Sequence, residues 1–350
     1  MSRRFQAILL TTLLLAGCSS RSGSDAILIG HIAPMSTPAG EHAKQGILLA
    51  VEEANDPDKV AGPKVTVLHV DSHGDPAIAQ AEAVRVAGVN KVAAVLIDAD
   101  PGTVERVTRD LEPYNIPLVT PVVLSAPPSG ENLFTVNLTA PRQGLALARF
   151  AANQLKPGRI AVLADQRNAN AMALAAAFVK EMPKDGPRVE QWNFDKPADF
   201  PDLIARIKKA QPDAVLFAGS PTDLPALRAE LQKADIHGPV LFGGDGLSAI
   251  PAEAREDLYV ATSFAPESDD VDKKFVDKYR ERFHEAPDIH AALAYESARL
   301  LFNAMNQAKT PTGAAVRKEL VESTKDRVMK RPALIVHFKD GQAKIVLTEK

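Results

Sequence analysis

Only a handful of side chains in this sequence are spaced for chemistry. Asp71, His73 and Asp75 fall at alternate positions, which could set two carboxylates and an imidazole around a metal ion; a strand-end turn entering a capped helix explains the same three residues and is preferred. Asp245 stands among glycines in Gly243-Gly244-Asp245-Gly246, either as the carboxylate that a buried ammonium group requires or as a turn residue ahead of Gly246. Asp98 and Asp100 flank Ala99 just before Pro101, where Asp100 reads as the cap of a helix. Cys18 is the single cysteine and directly follows Leu15-Ala16-Gly17. His31 sits on an apolar run and reads as a satisfied core or rim histidine; Trp192, Met172 and Met305 read as packing. No nucleophile elbow, zinc-protease pair, phosphate loop or dinucleotide fingerprint occurs, so no enzyme is assembled and no cofactor is expected.

The elements that must position these residues begin after a leader. Arg3 and Arg4 precede an apolar stretch from Phe5 to Ala16, shorter than the roughly 20 residues that a membrane-spanning helix needs. Basic start, apolar centre and small-residue exit fit an export signal over 1–17, and Leu-Ala-Gly before Cys18 resembles a bacterial lipobox, whose cysteine carries lipid. Residues 18–25 are then the lipidated cysteine and a flexible tether. With one cysteine there is no intramolecular disulfide, and the core alone must hold the fold. The 350 residues exceed the size at which one core divides into two. Lysines and arginines number 41 against 44 acids, with no basic block, which argues against nucleic acid or a polybasic membrane contact; the membrane is reached through the lipid anchor only.

From residue 27 the pattern alternates between short apolar runs and helical periods. Strands are predicted over 27–32, 65–70, 92–97 and 116–119, with helices opening at Asp75-Pro76 and Asp100-Pro101. The scheme repeats. A strand at 133–137 leads through Thr139-Ala140-Pro141 into a helix carrying Leu145 to Leu155, followed by strands over 160–164, 189–194, 214–218, 240–243 and 258–263 that alternate with helices. This predicts an α/β fold of two doubly wound, parallel-sheet lobes with a cleft between them. Beyond Ala265 three helices and a terminal hairpin turning at Asp340-Gly341 follow; the pattern leaves open whether they form a third domain or cover the earlier sheets.

Several segments, in order, resemble type I periplasmic solute-binding proteins of the branched-chain amino-acid class. They are Gly30 to Ser36 with Gly40, Gly46-Ile47 and Ala50 to Asn55; Asp71 to Pro76 with Ala81-Glu82-Ala83; Tyr114 to Pro121; Asp199 to Ile204; and Phe275 to Phe283, Pro287 and Ala292 to Leu301. The resemblance implies three crossings between lobes, with 26–137 plus 266–327 in lobe 1 and 138–265 plus 328–350 in lobe 2, and hinge closure on a small-molecule ligand. It implies a lipid-anchored protein on the periplasmic or extracytoplasmic face of a bacterial membrane, a monomer that captures an amino-acid-like solute for the permease subunits of an ABC importer. A ligand-sensing or structural envelope lipoprotein acting through protein contacts is the alternative.

Ligands of such sheets lie at the carboxyl ends of strands. Ligand contacts are therefore expected from Ser36, Thr37, Asp98, Ala99, Asp100, Thr120, Val122, Val123, Leu124, Asn170, Ser220 and Asp245. In amino-acid-binding members hydroxyls and amides of the third and fourth loops hold the carboxylate, and an acid matched here by Asp245 holds the ammonium. This chain departs from that clamp. Asp98 and Asp100 stand where Ser or Thr belongs, Val122 to Leu124 supply no hydroxyl, and Ala169, Asn170 and Ser220 occupy positions often taken by Tyr. Carboxylates there would repel an anionic group, so a cationic or neutral ligand is expected.

Overall fold

The computed structural model describes residues 26–58, 64–244, 250–266, 270–308 and 312–349; Cys18, the leader and tether, and Asp245 lie outside the described residues. Two sheets carry the chain. The first is formed by β1 (Ile27–Ala33), β2 (Val65–Asp71), β3 (Ala94–Ile97), β4 (Leu118–Thr120) and β5 (Leu133–Thr135), in the order β2-β1-β3-β4-β5 with every pair parallel. The second contains β6 (Arg159–Asp165), β7 (Arg188–Phe194), β8 (Ala214–Ala218), β9 (Val240–Gly243), β10 (Leu258–Thr262), β11 (Ala333–Lys339) and β12 (Gln342–Glu349), ordered β12-β11-β10-β9-β8-β6-β7. Strands β6 to β10 are parallel, and the terminal hairpin joins β10 antiparallel.

Strand periodicity divides the side chains between two covered faces in each sheet. In the first, Ile29, Leu96 and Phe134 face one way, and Ile32, Val95 and Ile97 the other. The second face is covered by α2 (Pro76–Gly88) and α3 (Pro101–Leu111). The first is covered by α1 (Pro38–Ala54) together with the late helices α8 (Asp270–Phe283), α9 (Ile289–Gln307) and α10 (Gly313–Ser323), so those helices return to the first sheet and do not form a separate domain. In the second sheet Val162 and Leu216 face α4 (Ala140–Phe150) and α5 (Ala169–Glu181), while Leu163 and Phe217 face α6 (Phe200–Ala210) and α7 (Leu224–Lys233).

Each half contains one helix crossing at backbone distance. A Cβ on Gly46 of α1 would lie 2.1 Å from the Ala291 carbonyl oxygen of α9, and one on Gly144 of α4 would lie 2.2 Å from the Leu174 carbonyl oxygen of α5. Glycine is required at both because no side-chain carbon fits.

Some boundaries differ from expectation. The strand expected at 116–119 runs from Leu118 to Thr120, because Asn115 takes a left-handed conformation (φ 50°) and Pro117 has no N–H for a ladder bond. The strand expected from 92 begins at Ala94, since the Val92 N–H bonds back to the Val86 carbonyl. The helix expected to reach Leu155 is α-helical only to Phe150, and its last turn widens into a π-helical segment, Ala151–Leu155, before the left-handed Lys156.

Candidate functional site

At the carboxyl ends of β6, β8 and β9 lies a cavity of about 170 Å³. Ala218 and Gly219 border it beyond β8, Phe242, Gly243 and Gly244 at the end of β9, and Asn168, Asn170, Ala171 and Leu174 at the start of α5. Ala140 and Gln143 come from α4, and Val123 reaches in from the loop between β4 and β5 of the first sheet. Among the described residues no charged side chain lines it.

Three relationships shape this cavity. The Asn170 side-chain Nδ2 donates to the Val123 carbonyl at 2.9 Å, joining a helix of the second sheet to a loop of the first. That bond orients the carboxamide and leaves its buried Oδ1 without a hydrogen-bond partner. Gln143, 1 % exposed, likewise has an unpartnered Nε2. It sits on the buried stripe of α4 with Ala140, Gly144 and Leu147, and its Oε1 lies 3.2 Å from where a Cβ on Gly243 would stand, so the glycine lets the side chain lie flat against the strand end.

Of the residues expected at the ligand, Val123 and Asn170 line this cavity. The other described ones do not border it. The Ser36 hydroxyl donates to Asp71, and Thr37 caps α1 by accepting from the Gly40 N–H at 3.1 Å. Thr120 is fully buried, donating to the Ile97 carbonyl and accepting from the Val122 N–H. Val122 offers its carbonyl to Thr135, Leu124 offers its own to the Ala140 N–H, and Ala99 packs beside the core on the α2 and α3 face. Ser220 accepts from the Thr222 N–H.

The two acids after β3 differ in environment. Asp100 caps α3 through the Thr103 N–H at 3.0 Å and the Thr103 hydroxyl, as its place before Pro101 predicts. Burial works against the charge, but the Thr103 hydroxyl and amide, with Arg106 beyond, hold the Asp100 carboxyl below its usual range. Asp98 is half-buried at the strand end, and desolvation pushes its carboxyl upward; His290 opposes this and Asp288 adds to it. In the Asp71, His73 and Asp75 stretch, Asp71 accepts from the Met35 and His73 amides and Asp75 caps α2, which is the turn-and-cap arrangement.

Gln143 was not singled out from sequence. A signal was available: it is the one amide on an apolar helical stripe that otherwise holds Ala140, Gly144, Leu147 and Ala151.

The periplasmic binding protein family model matches residues 26–344. A Leu/Ile/Val/Thr-binding protein of Salmonella typhimurium is 26 % identical over 336 residues, covering 90 % of each chain. A Leu/Ile/Val-binding protein homolog of Brucella melitensis is 28 % identical over 240 residues, 66 % of this chain and 64 % of that one. The crystal structure of a leucine-binding protein of Thermotoga maritima has the same fold, with a TM-score of 0.81 over 93 % of this chain and 99 % of its own at 22 % identity. Among the described residues no helix is long and apolar enough to cross a membrane. With the match spanning both sheets and the late helices, this chain belongs to the periplasmic binding protein family, whose members here are binding proteins and not enzymes.

Proposed function

We propose that this chain is the extracytoplasmic solute-binding component of an ABC importer, held to the membrane by lipid on Cys18. In this reading residues 26–137 plus 266–327 form one lobe and 138–265 plus 328–350 the other, and closure about the crossings encloses an amino-acid-like or other small polar solute, which is carried to the permease. The observation that carries the reading is the cavity at the strand ends, uncharged among the described residues and spanned by the Asn170 to Val123 hydrogen bond. The relatives named for Leu/Ile/Val binding support the solute class, and Leu15-Ala16-Gly17 before Cys18 supports the anchor.

A thermal-shift screen of the mature protein against amino acids, amides, polyamines and short acids tests it. A ligand at about 100 times its dissociation constant adds roughly 2.7 kcal/mol to the folded state, a readily visible shift. A flat screen, repeated after unfolding and refolding to strip bound solute, favours the envelope-adaptor reading. Metabolic labelling with palmitate, abolished in Cys18→Ala, tests the anchor.

A further inference from the structure

The cleft's polar groups carry more information than its location. Gln143 Nε2 is a buried donor and Asn170 Oδ1 a buried acceptor, both on residues lining one cavity and both without a partner. Buried polar groups are normally satisfied, so a donor and an acceptor left open around one space mark what is to fill it. We infer that this cavity selects an uncharged solute whose head group both accepts and donates a hydrogen bond, a carboxamide or its equivalent, on a short branched apolar body. The inference rests on the solute-binding reading above and names the ligand class of that site.

The described lining favours an uncharged head group. An anion would need positive charge or free helix amides. Among the described residues the lining carries no cationic side chain, and Asn168 occupies the Asn170 and Ala171 amides at the start of α5 and Ser220 that of Thr222. The start of α4 has no side-chain cap, but the Ala140 N–H is taken by the Leu124 carbonyl and Pro141 has none. A cation would need a carboxylate, and among the described residues the lining contains none. A carboxamide satisfies both open groups at once, its oxygen accepting from Gln143 and its N–H donating to Asn170.

The remaining wall is apolar, built from Val123, Leu174, Ala171 and Phe242. A volume of about 170 Å³ suits a molecule of this kind, since an apolar cavity of about 150 Å³ holds benzene.

The test is calorimetric titration of the mature protein, stripped by refolding, with four probes of similar body: isocaproamide, isocaproate, isoamylamine and leucine. Isocaproamide is expected to bind at least about tenfold more tightly than the other three. Gln143→Leu and Asn170→Leu should each weaken it by about tenfold or more, because each leaves one end of the amide unpaired. Gln143→Glu replaces the donor with a carboxylate and should reverse the order, isoamylamine becoming the tightest probe. That reversal is a readout that damaged folding cannot produce, and urea unfolding of each variant checks its integrity. Tightest binding of leucine, isocaproate or isoamylamine to the unaltered protein, or an amide affinity indifferent to both leucine variants, overturns the inference and leaves the solute-binding reading standing. Silence from all four probes and from the wider screen overturns both.

Discussion

His31 and His69 face each other in register across β1 and β2, their Nδ1 atoms 2.8 Å apart and their rings edge to face. One Nδ1 must carry the proton and the other accept it, so the contact exists only while at least one ring is neutral. His31 is 2 % exposed, on the sheet face covered by α1 and α9. Burial, the neighbouring His69 and Lys44 of α1 all hold His31 well below the usual histidine range. Burial and Lys44 lower His69 to about 4.

A stability profile follows from that pair. The folded state refuses protons that the unfolded chain accepts below its ordinary histidine pKa of about 6.5, so stability is full above that pH and falls as pH drops towards about 4. The loss attributable to His69 is on the order of 1–3 kcal/mol, allowing for its partial exposure. Urea midpoints measured from pH 7.5 downward should show the decline, and His31→Gln with His69→Gln should flatten it. A double variant as acid-sensitive as the parent would remove the pair as the cause.

The two helix crossings predict severe effects from the smallest substitution. Gly46→Ala and Gly144→Ala each force a methyl group onto a backbone carbonyl, at 2.1 Å and 2.2 Å respectively. Helices must separate to accommodate it, at a cost of roughly 2 kcal/mol or more, visible as a lowered thermal midpoint. Alanine at a glycine with open surroundings, Gly74, tests only its left-handed backbone and should cost less.

Asn137 ties together the chain where it passes between the sheets. Its Nδ2 donates to the Pro121 carbonyl at 2.7 Å, and its Oδ1 accepts from the Leu138 N–H and, at 2.9 Å, from the Ser263 hydroxyl on another passage. Asn137→Ala strands these buried partners and should destabilise by about 2–3 kcal/mol. If the crossings act as the hinge, the variant also changes the radius of gyration of the ligand-free protein in small-angle scattering, whereas Ser263→Ala does so only weakly.

The cap of α3 separates charge from shape. Asp100→Ala removes the acceptor for the Thr103 N–H and should cost about 1 kcal/mol in urea unfolding, while Asp100→Asn keeps a capping oxygen and should cost only a few tenths.

What could be read in advance tracks sequence distance. Asp75-Pro76 and Asp100-Pro101 announce α2 and α3 because cap and helix lie within one turn. The alternation of Ile29 with Ile32, and of Val162 with Leu163, carries the two-faced sheets. The site was less legible. Val123 and Asn170 were reached as loop positions after strands, but their hydrogen bond joins residues 47 positions apart and depends on how the halves meet. Ser36, Thr37 and Ser220 have the chemistry of ligand-holding hydroxyls; in the fold they bond to neighbours in their own half. Gln143 escaped because a helical stripe marks a face as buried without marking a cavity behind it. The match of His31 to His69 needs the register of two strands, which composition does not encode.

The return of α8 to α10 to the first sheet has a consequence for how the molecule comes into being. His42 on α1 meets Asp288 beside α9 at 2.9 Å across 246 residues of chain, and β11 and β12 complete the second sheet only after that. During synthesis the first five strands therefore emerge with Ile29, Leu96 and Phe134 covered on that face by α1 alone, the late helices still to come. Contacts so distant in sequence slow folding, because loop closure must precede the packing that rewards it. A truncation before α9 would leave the first sheet without much of the cover on that face.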